Sequence, residues 1–282
     1  MSAPSSLQLL IGHWQLSPAL TGEAALAATV YLGAARRVVG GWPVWRTVAF
    51  LAGIACLLVA LESGLDAYDD RLLSAHMVQH LLLLELVPAL LLCGRPVGLS
   101  LRTLTPPRRR WLGRGLVRLR AFTQPSVCVA AFSTVVLVAH APVIFDAAVQ
   151  HPLLHVGEHV CFLAAGLLLW WPLLGEERGQ RRLGGLAQFV YVIVAMLPMT
   201  VIGAYLDRDP TVFYPAYRTA TVGLRASPVI DQQQAGAIMW VAGTTMMIVV
   251  GLWSSLYAMV AAERRQQRRE RYQAGLAGDR TR

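Results

Sequence analysis

Histidine is the side chain through which this sequence has the means to do chemistry. His76 and His80 are spaced i, i+4 in an apolar run, so on a helix both leave the same face, one turn apart. His151, His155 and His159 repeat that spacing on a second apolar run, and His140 lies five residues short of the predicted end of a third. At ~1.5 Å of rise per residue, His76, His80 and His140 all fall within roughly 12 Å of one end of their segments. A single histidine in an apolar helix is commonly a hydrogen-bonded core residue. Two i, i+4 pairs and a fifth imidazole at matched depth read instead as a ligand site. Imidazole suits copper, zinc, iron and nickel, and thioether sulfur favours Cu(I). Met77, Met196, Met199 and Met239 fall at compatible depths. Glu158 follows His155 by three residues and shares its side of the helix, where a carboxylate can orient an imidazole through its second nitrogen. Asp231 and Gln232–Gln234 enter the same layer, either as a helix cap with interfacial amides or as support for the ligands. Glu85, nine residues after His76, is about 900° of helical turn away, which places it on the opposite face and outside the site.

The elements that must position these groups are membrane helices. Hydrophobic residues make up 55% of the 282-residue chain and charged residues only 15%, a balance that points to a bilayer as solvent. Runs long enough to cross ~30 Å of hydrocarbon recur near 19–37, 45–63, 72–93, 125–145, 152–173, 186–206 and 232–262. They predict an all-α integral membrane protein, a seven-transmembrane-helix bundle over residues 1–262 followed by a basic tail over 263–282. Pro198 and Gly203 predict a kink in the sixth span. From Pro107 onward, the loop between spans three and four mixes arginine with Trp111 and leucines, as an amphipathic helix lying on a membrane surface does.

All 25 basic residues are arginine, and 21 of them lie in alternate loops and the tail. Only Arg71, Arg208, Arg218 and Arg225 lie on the other side. By the positive-inside rule the N-terminus is outside and the tail cytoplasmic, so the histidines gather at the extracytoplasmic end. The net charge of +9 does not imply nucleic-acid binding, because its arginines flank apolar spans, where anionic lipid headgroups are the natural partner. Nothing before Glu23 is charged, which argues against a cleaved signal peptide and for an N-out anchor. Cys56, Cys93, Cys128 and Cys161 stand singly, with no CxxC pair, and read as small apolar residues.

Beyond their chemistry, these residues carry a family resemblance. His76-Met77-Val78-Gln79-His80-Leu81-Leu82 with Pro88 and Gly94-Arg95-Pro96 resembles the CtaG-type cytochrome c oxidase assembly factors. So do His140-Ala141-Pro142, His155-Val156-Gly157-Glu158-His159, Trp170-Trp171-Pro172, Tyr214-Pro215-Ala216-Tyr217 and the run from Asp231 to Trp240. The resemblance implies a multi-pass protein of the bacterial plasma membrane that matures haem–copper oxidase, with oxidase subunits as partners and copper as the ion handled. It carries His76, His80, His140, His155, His159, Glu158 and Asp231 over as the residues concerned.

No activated nucleophile or general acid–base pair is evident, so catalysis is not required. Two other functions compete with copper delivery. Paired histidines on neighbouring helices suit the axial ligation of haem. A metal or ion transporter would use the same cluster as part of a pathway, but spans three to five offer almost nothing polar further in except Glu85.

Overall fold

A computed structural model describes residues 12–175, 183–219, 224 and 227–280, and these are all-helical, with no strand among them. Helix α1 (Pro18–Arg36) is followed by α2 (Val44–Glu62) and a single turn, α3 (Gly64–Tyr68). The third predicted span is built from α4 (Leu73–Leu81), a π-turn at Leu82–Leu86 and α5 (Val87–Cys93). Two short helices follow, α6 (Pro96–Thr103) and α7 (Pro106–Arg118), then α8 (Pro125–Ala139), α9 (Pro142–Gln150) and α10 (Pro152–Leu174). The last segments are α11 (Gly185–Arg208), α12 (Pro228–Ala237), a second π-turn at Ile238–Ala242 and α13 (Gly243–Arg280).

Proline sets many of these boundaries. It opens α1, α6, α7, α8, α9, α10 and α12, where its missing N–H would have no partner in any case. The residue before each proline is pushed out of the helical region. That effect corrects two expectations. The fourth span was expected to run to 145, but Pro142 ends α8 at Ala139 and leaves His140 as its cap residue. His151, expected in helical register with His155 and His159, sits instead in extended backbone (φ −125°, ψ 106°) just ahead of Pro152.

Among the described residues, five helices are long and apolar enough to cross a membrane: 44–68, 73–103, 152–174, 185–208 and 228–264. A sixth is possible if the bent pair Pro106–Ala121 and Pro125–Ala139, at 73° to each other, serves as one span. Helix α8 alone is ~22 Å long at ~1.5 Å per residue, short of the hydrocarbon thickness. The chain is therefore multi-pass. Helix α7 lies where the surface helix was expected, with Trp111 and Val117 exposed. Arg178, Arg181, Arg182, Arg225 and Arg282 lie outside the described residues.

Packing converges on the α4–α5 rod, which touches α2 on one side and α10 on another. The approach of α10 is very close: a Cβ added to Gly166 would stand 2.3 Å from the Leu84 carbonyl oxygen and 2.6 Å from Pro88. Only glycine lets the two backbones come that near. Gly203 on α11 and Gly236 on α12 make a second such contact, backbone against backbone, and α11 runs unbroken as one helix through Pro198. Glu62 joins α1 to α2 by accepting from the Ser17 N–H (3.0 Å) and the Thr21 hydroxyl (2.8 Å). Glu85 lies in the first π-turn, fully buried, beside Gly243 at the junction with α13, away from the histidines. Neither of its carboxylate oxygens has a hydrogen-bond partner, so the ion or hydrogen-bond pair that a buried carboxylate would call for is not formed there.

Candidate metal centre

The start of α4, the end of α8 and the start of α10 meet at one end of the bundle, and their imidazoles touch. The His76 and His80 rings lie 4.0 Å apart between centroids, His76 and His155 5.2 Å, and His155 and His159 4.2 Å. His80 is 6.0 Å from His159 and 5.9 Å from His140. Phe145 and Phe162 close the apolar wall, 5.0 Å from His76 and 4.3 Å from His80.

The Glu158 carboxylate enters this cluster directly, 3.8 Å from Nε2 of His80 and 4.0 Å from Nε2 of His76. One donor atom each from His76, His80, His155 and Glu158 can be chosen so that all lie within 4.8 Å of one another. A second such group is Asp69, His155 and His159. Four-coordinate ions with bonds of ~2.1 Å hold their ligand atoms about 3.4 Å apart, so both groups need only a modest contraction to close on one ion.

Unmade hydrogen bonds point the same way. His76 Nε2, both ring nitrogens of His80, and Nε2 of His140, His155 and His159 are buried with no hydrogen-bond partner, as are both oxygens of Glu158. Leaving such groups unsatisfied costs about 1–3 kcal/mol each, more for charged ones. A cation coordinated by them removes that cost for several atoms at once. The donor set of imidazole and carboxylate suits a borderline divalent ion more than a soft one. Met77 and Met239, considered as thioether ligands, are packed into the hydrophobic core.

The surroundings fix which nitrogens are free. The Tyr217 hydroxyl donates its single proton to the carbonyl of Asp69, which can only accept. The contact of 3.1 Å between Tyr217 Oη and His76 Nδ1 must then be donated by the imidazole, leaving the lone pair on Nε2, toward Glu158. His140 Nδ1 donates to the Val136 carbonyl at 2.8 Å, so its lone pair too is on Nε2. Tyr214 donates to the His140 carbonyl (3.1 Å), and burial raises the pKa of both tyrosines, keeping them protonated donors.

Asp69 lies in the connection between α3 and α4, with a carboxylate oxygen 3.5 Å from His155 Nε2. Burial, and then the neighbouring Asp66 and Asp70 carboxylates, push its carboxyl up to about 8. A cation beside it would relieve all three causes.

The structure thus brings together His76, His80, His155, His159 and Glu158, with His140 at the edge of the cluster and in neither close group. His151 is exposed and contributes nothing to it. Asp231 caps a helix, but not its own. It accepts from the backbone N–H groups of Leu73 (2.7 Å) and Ser74 (3.3 Å) and from the Ser74 hydroxyl (2.5 Å), capping α4, while Ser227 caps α12. Gln232 ties down the preceding loop through Phe213 and Thr211. The sequence by itself does not single out Asp69 or Tyr217 as part of the cluster. The acidic cluster Asp66, Asp69, Asp70 and the Tyr-Pro-Ala-Tyr turn were the available signals, but neither has a spacing that reveals its partner. The four cysteines are free thiols, and Cys161, one turn from Glu158, points outward and is exposed.

Uncharacterised proteins of Mycobacterium bovis and Mycobacterium tuberculosis are each 29% identical to the chain over 280 residues, covering 94% of it and 42% of their own length. One from Mycobacterium leprae is 30% identical over 244 residues, covering 83% of the chain and 36% of its own length. The chain thus spans less than half the length of these relatives. No solved structure matches it. The family model for the cytochrome c oxidase caa3 assembly factor matches residues 29–259, a stretch that includes every residue of the imidazole cluster. On that match, the chain belongs to the cytochrome c oxidase caa3 assembly factor (Caa3_CtaG) family.

Proposed function

We propose that this protein binds a copper ion through His76, His80, His155 and Glu158, with His159 and His140 alongside, and delivers it to the haem–copper oxidase it helps to assemble. The observation that supports this reading best is the convergence of buried, unpartnered imidazole nitrogens and a carboxylate from two helices on one point. Copper is the cargo here. The chain's own part is to hold nitrogen lone pairs in fixed directions, through Tyr217 and Val136, inside an apolar wall that keeps competing water ligands out. Histidine and carboxylate ligands are exchangeable, as delivery requires.

The finer membrane arrangement belongs to the same proposal. We read residues 1–262 as seven crossings of the bacterial plasma membrane, with α1 and the stretch 125–145, α8 together with the start of α9, completing the set, the N-terminus outside, and the arginine-rich end of α13 in the cytoplasm. In that arrangement the metal centre lies near the extracytoplasmic surface, from which the haem–copper centre of the oxidase would be supplied. Haem is the weaker reading. A porphyrin must slide between its two axial imidazoles, and here the rings pack directly on one another at 4.0 to 6.0 Å.

Complementation tests the proposal. In a bacterium deleted for its own copy, the wild-type chain restores copper content and activity to the oxidase. The combined His76→Ala, His80→Ala, His155→Ala and Glu158→Gln variant, present in the membrane at the same level, does not. Full restoration by that variant would contradict the proposal.

A further inference from the structure

The two donor groups share one residue, His155, and differ in the number of donors and in the elements that carry them. All of these side chains are largely buried, Asp69 at 8% as much as Glu158 at 7%, but Asp69 stands on a connecting loop whereas the donors of the first group all stand on helices. The first group supplies four donors and the second three. A four-donor set saturates a tetrahedral ion and suits retention. A three-donor set leaves one position for an incoming ligand, the arrangement found where metal ligands must exchange.

We propose that Asp69, His155 and His159 form a second, exchange position for the metal, and that His155 passes the ion between it and the enclosed position at His76, His80 and Glu158. This rests on the copper-binding reading above and adds to it a route. A divalent first-row ion, Cu(II) or Zn(II), arrives with its own ligands and loses them first to Asp69, on its connecting loop, and to His155. Rotation of the His155 ring and replacement of Asp69 and His159 by His76, His80 and Glu158 then enclose it. Release runs in reverse, with an acceptor's ligand taking the vacant position. Each step exchanges one ligand for another at constant oxidation state, so no redox partner is needed. The distance of 3.5 Å between the Asp69 carboxylate and His155 Nε2, with no hydrogen bond formed by that nitrogen, is the spacing of two ligands on one ion. Tyr217 holds the loop in place for this, since its hydroxyl binds the Asp69 carbonyl while its oxygen accepts from His76.

The test uses the full chain purified in detergent and Cu(II) itself. Equilibrium stoichiometry is measured by elemental analysis, and loading and release by mixing with Cu(II) or with excess EDTA. Asp69→Asn is expected to keep one retained copper per chain but to load and release it about tenfold more slowly. Glu158→Gln is expected to exchange at or above the wild-type rate while binding more weakly at equilibrium. Asp69→His, which supplies a ligand of another type, restores the rate. Wild-type exchange rates in Asp69→Asn would overturn the exchange position while leaving the copper-binding reading intact. Absence of bound copper in the wild type would overturn both. If Asp69→Asn fails to fold, His159→Gln, which removes a donor of the second group and none of the first, decides instead: a tenfold slower exchange supports the proposal, and a wild-type rate contradicts it.

Discussion

At the scale of single residues, the proposed coordination depends on which nitrogen of each histidine carries a proton. Tyr217 accepts from His76 Nδ1 and thereby keeps the Nε2 lone pair aimed into the cluster. Tyr217→Phe removes that constraint without touching a ligand, and is expected to weaken copper binding about 10- to 100-fold, read by equilibrium competition with a chelator. His155→Ala, which removes a ligand from both donor groups, costs more than that, while His151→Ala leaves affinity unchanged. Equal losses for His151→Ala and His155→Ala would mean that the cluster is not the binding site. Asp231 acts at a distance as the cap of α4. Asp231→Ala is expected to lower stability by about 1–2 kcal/mol in a denaturant titration, and to disturb the metal only through the position of His76.

At the scale of elements, the site exists because α10 can lie directly against the first π-turn. A side chain at Gly166 would collide with the Leu84 carbonyl, so Gly166→Leu is expected to cost about 3 kcal/mol or more and to abolish high-affinity copper binding. Gly157→Ala, on the same helix but with open space around it, changes neither, and thermal unfolding with metal titration checks the pair. The i, i+4 spacing of His76 with His80 and of His155 with His159 was legible from sequence because a helix converts that spacing into a shared face. What was not legible depends on chain direction at proline or on contacts across the fold. His151 and His140 were misplaced relative to their helices because Pro152 and Pro142 reset the backbone just beside them. Asp231 was assigned to its own helix, since nothing local reveals that α12 starts beside the N-terminus of α4, 157 residues away from Ser74 in sequence. Asp69 lies in a loop, and a loop has no periodicity from which to read a facing partner.

At the scale of the whole molecule, the proposed orientation rests on the arginine distribution and predicts on which side the histidine cluster lies. Single cysteines introduced in a cysteine-free version at Ser100, in α6, and at Thr211, in the opposite connection, are expected to differ. An impermeant maleimide added to intact cells labels the second and not the first. Reversed labelling would put the metal centre at the cytoplasmic end and exclude delivery from outside. The bundle supplies a dry wall and matched helix ends, the helices supply facing imidazoles, and the surrounding polar groups set their lone pairs, so the central claim is one of coordination. X-ray absorption at the copper edge of the loaded, detergent-purified chain tests it most directly. A first shell of imidazole nitrogen with nitrogen or oxygen and no sulfur, lost in the His76→Ala, His80→Ala, His155→Ala variant, is the predicted result. A sulfur-dominated shell, or a spectrum that the triple variant leaves unchanged, would contradict it.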